Sequence, residues 1–109
     1  MFEKDLKKAY LLDFYGEVLT ERKKEVLDMY YNEDLSLAEI ADQIGISRQG
    51  VRDLIKKAEE ELLFLEEKLG LAKKMSALRH HSDKMKGIAE NTELPLELKI
   101  EIEEIAKII

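Results

Sequence analysis

The sequence predicts an all-α fold built around a helix-turn-helix, and three observations lead there. Residues 36–58, SLAEIADQIGISRQGVRDLIKKA, hold two capped, apolar-periodic segments joined at a glycine. A heptad-spaced apolar stripe then runs on to Leu69. Only one short stretch, near the C-terminus, alternates with the period of a strand. It has no partner strand, and a lone strand is not stable.

The elements follow in order. A first helix over about Asp5 to Leu19 carries Leu6, Ala9, Tyr10, Leu12 and Phe14 as its apolar positions, with Gly16 weakening its end. Thr20 is placed to cap a second helix, ERKKEVLDMYYNED, whose apolar face would be Val26, Leu27, Tyr30 and Tyr31. Asn32 and Asp34 mark the turn out of it. Ser36-Leu-Ala-Glu39 reads as a capping box that opens a short helix with Ile40, Ala41 and Ile44 inward and a stop at Gly45. Ser47 caps a long helix that ends at Leu69 before Gly70. Its stripe of Val51, Ile55, Ala58, Leu62, Leu65 and Leu69 needs a partner, either the chain's own N-terminal helix or a second copy.

Two domains are expected, residues 1–70 with the helix-turn-helix and 71–109 as a C-terminal helical extension. In the extension, residues 71–90 form a helix with Leu71, Met75, Leu78, Met85 and Ile88 roughly periodic and Gly87 as a weak point. The tail LPLELKIEIEEIAKII can be read in two ways. Leu96, Leu98, Ile100 and Ile102 alternate like a strand, while Leu98, Ile102, Ile105 and Ile109 form a helical stripe that Pro95 could start. Helix is preferred, for lack of a second strand.

A helix-turn-helix needs a small residue where its helices cross, a turn that tolerates a left-handed backbone, and apolar residues at fixed offsets. Ala41, Gly45 and the set Ile40, Ile44, Ile46, Val51 and Leu54 meet those demands. If the second helix enters a major groove, Ser47, Arg48, Gln49, Arg52, Lys56 and Lys57 are the candidate DNA-binding residues. Arg suits the paired acceptors of guanine and Gln the donor and acceptor of adenine, whereas Lys56 and Lys57 suit phosphates. Gly50 lies within this helix and would be explained by close approach of another backbone. The competing reading of the same face is plain solvated helix surface.

The formal net charge of −6 is unevenly spread over the 109 residues. Arg48, Arg52, Lys56 and Lys57 stand against Asp53 alone. Lys73, Lys74, Arg79, Lys84 and Lys86 stand against Asp83, with His80 and His81 beside them. Two positive islands in an acidic chain imply local contacts to polyanions, not a generally basic binder. The second island, Lys73, Lys74, Arg79, Lys84 and Lys86, is a candidate partner-binding set for phosphates, RNA or an acidic protein surface. It also reads as a solvated basic face.

Neighbouring histidines diverge by about 100° on a helix, so His80 and His81 do not chelate one metal. There is no cysteine, no glycine-rich phosphate loop and no recognisable Ser/His/Asp set, so neither an enzyme nor a cofactor is expected. Nor is a membrane span, and a cytoplasmic setting fits the composition.

The run LTERKKEVLDMYYNEDLSLAEIADQIGISRQGVRDLIKKAEEEL, Leu19 to Leu62, resembles region 4 of bacterial sigma factors, a promoter-reading helix-turn-helix unrelated to the winged helix. With YLLDFYGEVLT and ISRQGVRDLIKKAEEEL included, the chain is similar to the YlxM family, whose members are encoded beside the signal recognition particle GTPases. That resemblance implies a DNA-binding regulatory protein acting in the signal recognition particle pathway. The alternative it implies is an accessory protein that binds the particle's GTPase or RNA without binding DNA. Carried over by position, the sigma-like contacts are Arg48, Gln49 and Arg52, with Ser47 at the helix start. The chain has no counterpart of the sigma region that binds core polymerase, and its helix past Lys57 and its tail are not sigma-like. A homodimer is expected, because one recognition helix makes few phosphate contacts.

Overall fold

The computed structural model describes residues 5–109, and among these all regular structure is helical. The elements are α1 (Leu6–Tyr15), a 3-10 turn (Gly16–Val18), α2 (Glu21–Leu27), a π turn (Asp28–Asn32), α3 (Leu37–Ile44), α4 (Arg48–Leu69), α5 (Leu71–Asn91) and α6 (Leu96–Ile108). The chain divides into two compact units between Gly70 and Leu71.

In the first unit α1, α2 and α3 all pack on α4. Capping chemistry sets the start of each helix. Asp5 accepts from the Lys7 amide at 2.9 Å, and Thr20 accepts from Lys23 at 3.4 Å. Ser36 and Glu39 close the capping box in both directions, at 3.1 Å each way. Ser47 accepts from Gly50 at 2.9 Å. Gly45 (φ 73°) and Gly70 (φ 62°) take the left-handed backbone that ends α3 and α4.

The core is Leu11, Leu12, Tyr15, Leu19, Val26, Leu27, Met29, Ile40, Ala41, Val51, Ile55, Ala58 and Leu62. Full burial of one such aliphatic side chain stabilises by roughly 1.5–3 kcal/mol, and the α4 stripe is the surface on which the unit's other three helices pack. That stripe is covered by the chain's own α1, α2 and α3 over Val51 to Leu62. Leu65 is half-buried and Leu69 is 46% exposed, so the seam opens at its C-terminal end.

Several expected details change. The inward face of α1 is Leu11, Leu12 and Tyr15, while Leu6 is 80% exposed. The helix closes through a 3-10 turn instead of running on to Leu19. The second helix widens to i→i+5 bonding from Asp28, shown by Glu33 N–H donating to the Asp28 carbonyl at 3.0 Å. The widened turn shifts the register, so Met29 is buried while Tyr30 and Tyr31 are only half-buried. Ile44 and Leu54 are half-buried and Ile46 is exposed, because the motif's crossing is sealed mainly by Ile40, Ala41 and Val51.

Polar side chains tie the C-terminal half of α4 to the rest of its unit. Tyr15 Oη donates to Glu66 at 2.6 Å, and Lys23 Nζ donates to Glu61 at 2.8 Å. Glu59 accepts from the Tyr31 hydroxyl and pairs with Lys8 at 3.6 Å. Burial first, and the carboxylate of Glu59 second, push the Tyr31 hydroxyl above its ordinary pKa of 10.0.

The second unit is α5 packed on α6. The tail is a helix, not a strand, and Pro95 takes the cap position ahead of its first turn. The apolar periodicity of α5 did not identify its buried face: Ala72 and Ser82 are buried, whereas Leu71, Leu78 and Ile88 are 46%, 53% and 60% exposed.

Two stability measurements test this account. The Glu39 carboxyl lies below its ordinary 4.5, held there by the Ser36 backbone N–H and then by its hydroxyl. A depressed carboxyl contributes fully above its ordinary pKa, and the contribution is lost as pH falls through the lowered one. Glu39→Gln, which replaces the carboxylate that accepts from the Ser36 N–H, therefore lowers urea stability at neutral pH, and its gap from wild type narrows below pH 4.5. Tyr31→Phe removes the hydroxyl donated to Glu59 and costs about 1.5 kcal/mol, a bond to a charged acceptor. Because the phenol's pKa is raised, the wild-type advantage persists below pH 10.0 and disappears only as pH rises further.

Candidate nucleic-acid interface

The first two turns of α4 form the second helix of the helix-turn-helix. α3 and Gly45 hold this segment in place, and Ser47 starts it. With Val51, Ile55 and Ala58 buried, the 3.6-residue period directs Gln49, Arg52, Asp53 and Lys56 away from the core. Arg48, Gln49, Arg52, Lys56 and Lys57 are all exposed. Arg48, Arg52 and Lys56 follow one another at four-residue spacing along one side, and Lys57 lies on the opposite flank.

Ser47 is exposed, but its oxygen already accepts from the Gly50 N–H. It is therefore an N-cap first, with its hydroxyl proton still available to a neighbour. Gln49 is not free to read a base as it stands. Its Nε2 donates to Asp53 at 2.9 Å, so a paired contact to adenine would have to break that bond. Asp53, absent from the expected set, is the acid on this face, and its i,i+4 spacing from Gln49 was the available signal. The reason for Gly50 also differs from expectation. A Cβ there would stand 3.1 Å from Ser47 Oγ and 3.4 Å from Ile46 Cδ1, so the crowding comes from the cap and its neighbour, not from another backbone.

The second island divides across α5. Lys73, Lys74 and Lys84 are exposed, as are His80 and His81, whose rings meet edge to face at 5.2 Å. Arg79 instead donates from Nε to the Ile109 carbonyl at 3.2 Å, at the end of α6. Lys86 is half-buried on that same α6-facing side and lines a small cleft with Arg79, Ser82, Asp83, Ala106 and Ile109. The five basic residues are thus not one surface.

Elsewhere in the first unit, an open cleft beside α2 is lined by Glu17, Glu21, Glu25, Asp28 and Glu33 with Lys24. Its charge repels a polyanion. Among the described residues, no group of three or more His, Asp or Glu side chains is placed to hold a metal ion, and no helix is long and apolar enough to cross a membrane.

Comparison with known proteins places this geometry in a family. Residues 2–105 match the UPF0122 family, described as "Putative helix-turn-helix protein, YlxM / p13 like". A UPF0122 protein of Thermoanaerobacter sp. strain X514 is 48% identical over 101 residues, covering 89% of this chain and 86% of the relative. One from Clostridium kluyveri is 46% identical over 88 residues, covering 81% of this chain and 77% of the relative. One from Acetivibrio thermocellus is 58% identical over 66 residues, covering 61% of this chain and 56% of the relative. With a capped helix pair joined at Gly45 and a match spanning nearly its whole length, the chain belongs to the UPF0122 family of YlxM / p13-like helix-turn-helix proteins.

Proposed function

We propose that this protein is a non-enzymatic, DNA-binding regulator that inserts the N-terminal turns of α4 into the major groove and works as a homodimer in the cytoplasm. The observation that carries the reading is the exposed line of Arg48, Arg52 and Lys56 on the second helix of the motif. Arg48 and Arg52 reach base edges, and Lys56 and Lys57 neutralise phosphates on either flank. Asp53 serves two purposes. It holds Gln49 until a base competes for the carboxamide, and it discourages non-specific phosphate contact by like-charge repulsion. The acidic remainder of the chain acts in the same direction, which keeps binding local and salt-sensitive.

A second reading is favoured by the exposed Lys73, Lys74 and Lys84 on α5. On that reading the chain is an accessory factor of the signal recognition particle, as its YlxM likeness implies, and the α5 lysines contact the particle's RNA or GTPase.

Fluorescence anisotropy with duplex DNA, including the upstream region of the protein's own gene, tests the first reading. Arg52→Ala relaxes discrimination between sites by about 1–3 kcal/mol, while Lys57→Ala weakens all sequences alike and reduces the salt slope by about 1. Asp53→Asn raises non-specific affinity. Absence of binding to any duplex at low salt would refute it. The second reading is tested by capture of the particle's RNA and GTPase on immobilised protein, with and without nuclease. Triple charge reversal at Lys73, Lys74 and Lys84 abolishes capture if α5 is the contact, whereas undiminished capture rules α5 out.

A further inference from the structure

The α5–α6 hairpin leaves one of its sides apolar and uncovered. The two helices run antiparallel: Asn91 and Leu96 flank the connection, while Arg79 meets Ile109 at the far end and Ser82 lies by Ala106. Their facing stripes are Arg79, Ser82, Lys86 and Ala89 on α5, and Lys99, Ile102, Ala106 and Ile109 on α6. Both stripes have the 3-4-3 spacing of bundle packing, and all but exposed Arg79 are buried or half-buried.

One residue back from each of these lies a second stripe: Leu78, His81, Met85 and Ile88 on α5, and Leu98, Glu101, Ile105 and Ile108 on α6. Because the helices are right-handed and oppositely directed, stepping back one residue on each turns both stripes to the same side of the hairpin. There Leu78 is 53% exposed, Ile88 60%, Leu98 46%, Ile105 41% and Ile108 83%. One residue forward, the other side carries His80, Asp83 and Glu90 with Glu103 and Lys107, and Leu96 and Ile100 are its large apolar members. Only the first side has the composition of a buried surface.

Charge says what covers it. Apart from the facing stripes and the opposite side, α5 carries Lys73, Lys74 and Lys84 with no acid, and α6 carries Glu97, Glu101 and Glu104 with no base. A partner for this side must offer an acidic helix to α5 and a basic one to α6, each with an apolar seam at the same spacing. A second copy of the hairpin, related by a two-fold axis along the helices, supplies both. The other two-fold arrangement, with α5 on α5, sets like charges together.

We propose that two copies of this chain pair through the Leu78–Met85–Ile88 and Leu98–Ile105–Ile108 stripes, α5 of each over α6 of the other, as a four-helix bundle. The inference gives a surface to the dimer of the proposed function. Its test uses no DNA, so its failure and the failure of DNA binding are separable. Sedimentation equilibrium of the full chain at micromolar concentrations should show a dimer. Leu78→Glu and Ile105→Glu should each weaken it by at least about tenfold while retaining wild-type helicity, and Ile100→Glu, on the other side, should leave it intact. The chain has no cysteine, so single cysteines report the polarity. A mixture of Met85→Cys and Ile105→Cys chains should form the mixed disulfide in preference to either homodimer. A wild-type monomer, a dimer that survives both glutamates, or a dominant Met85→Cys homodimer would each overturn the proposal.

Discussion

Everything in the first unit depends on the burial of one stripe of α4. Val51, Ile55, Ala58 and Leu62 are fully or nearly fully shielded, and α1, α2 and α3 meet on that single helix. The helix is therefore both the spine of the unit and, over its first two turns, the candidate reading element. A 22-residue helix longer than any recognition contact needs is explained by this double use. Orientation of Arg48, Arg52 and Lys56 is set by packing on the opposite face, not by anything those side chains do themselves.

Polar interactions keep α4 aligned beyond the reach of the hydrophobic stripe. Glu59, Glu61 and Glu66 look like ordinary solvated acids in the sequence, yet each takes a partner from α1, α2 or the π turn. Part of the negative charge that makes the chain acidic is thus spent inside the first unit, against Lys8, Lys23, Tyr15 and Tyr31. The π turn belongs to this arrangement. By shifting register after Leu27 it buries Met29 and leaves Tyr31 where its hydroxyl meets Glu59. The net charge is consequently a poor guide to what the surface of α4 presents.

The two positive islands differ in the same way. Residues 47–57 stay together because one short run of one helix carries them, and burial of a single face leaves the rest outward. Residues 71–87 do not, because α6 takes Arg79 and Lys86 to its own side and leaves Lys73, Lys74 and Lys84 exposed. A charge count along the chain treats both islands alike. Only the position of the neighbouring helix separates them.

The sequence by itself determined where α3 and α4 begin and end and which motif they form. Those features depend on chemistry within a few residues: the Ser36–Glu39 capping box, the Ser47 cap, the left-handed stops at Gly45 and Gly70, and the Val51-to-Leu62 stripe. It also contained the bond between Gln49 and Asp53, an i,i+4 pair that periodicity alone makes legible. What only the tertiary structure decided were contacts between residues far apart in the chain. These are the inward face of α1, the partners of Glu59, Glu61 and Glu66, and the choice of Ala72 and Ser82 over Leu71 and Leu78 as the buried residues of α5. The reason is physical. A cap or turn is satisfied by its immediate neighbours, whereas which of several apolar or charged faces is covered depends on what other helices bring to it.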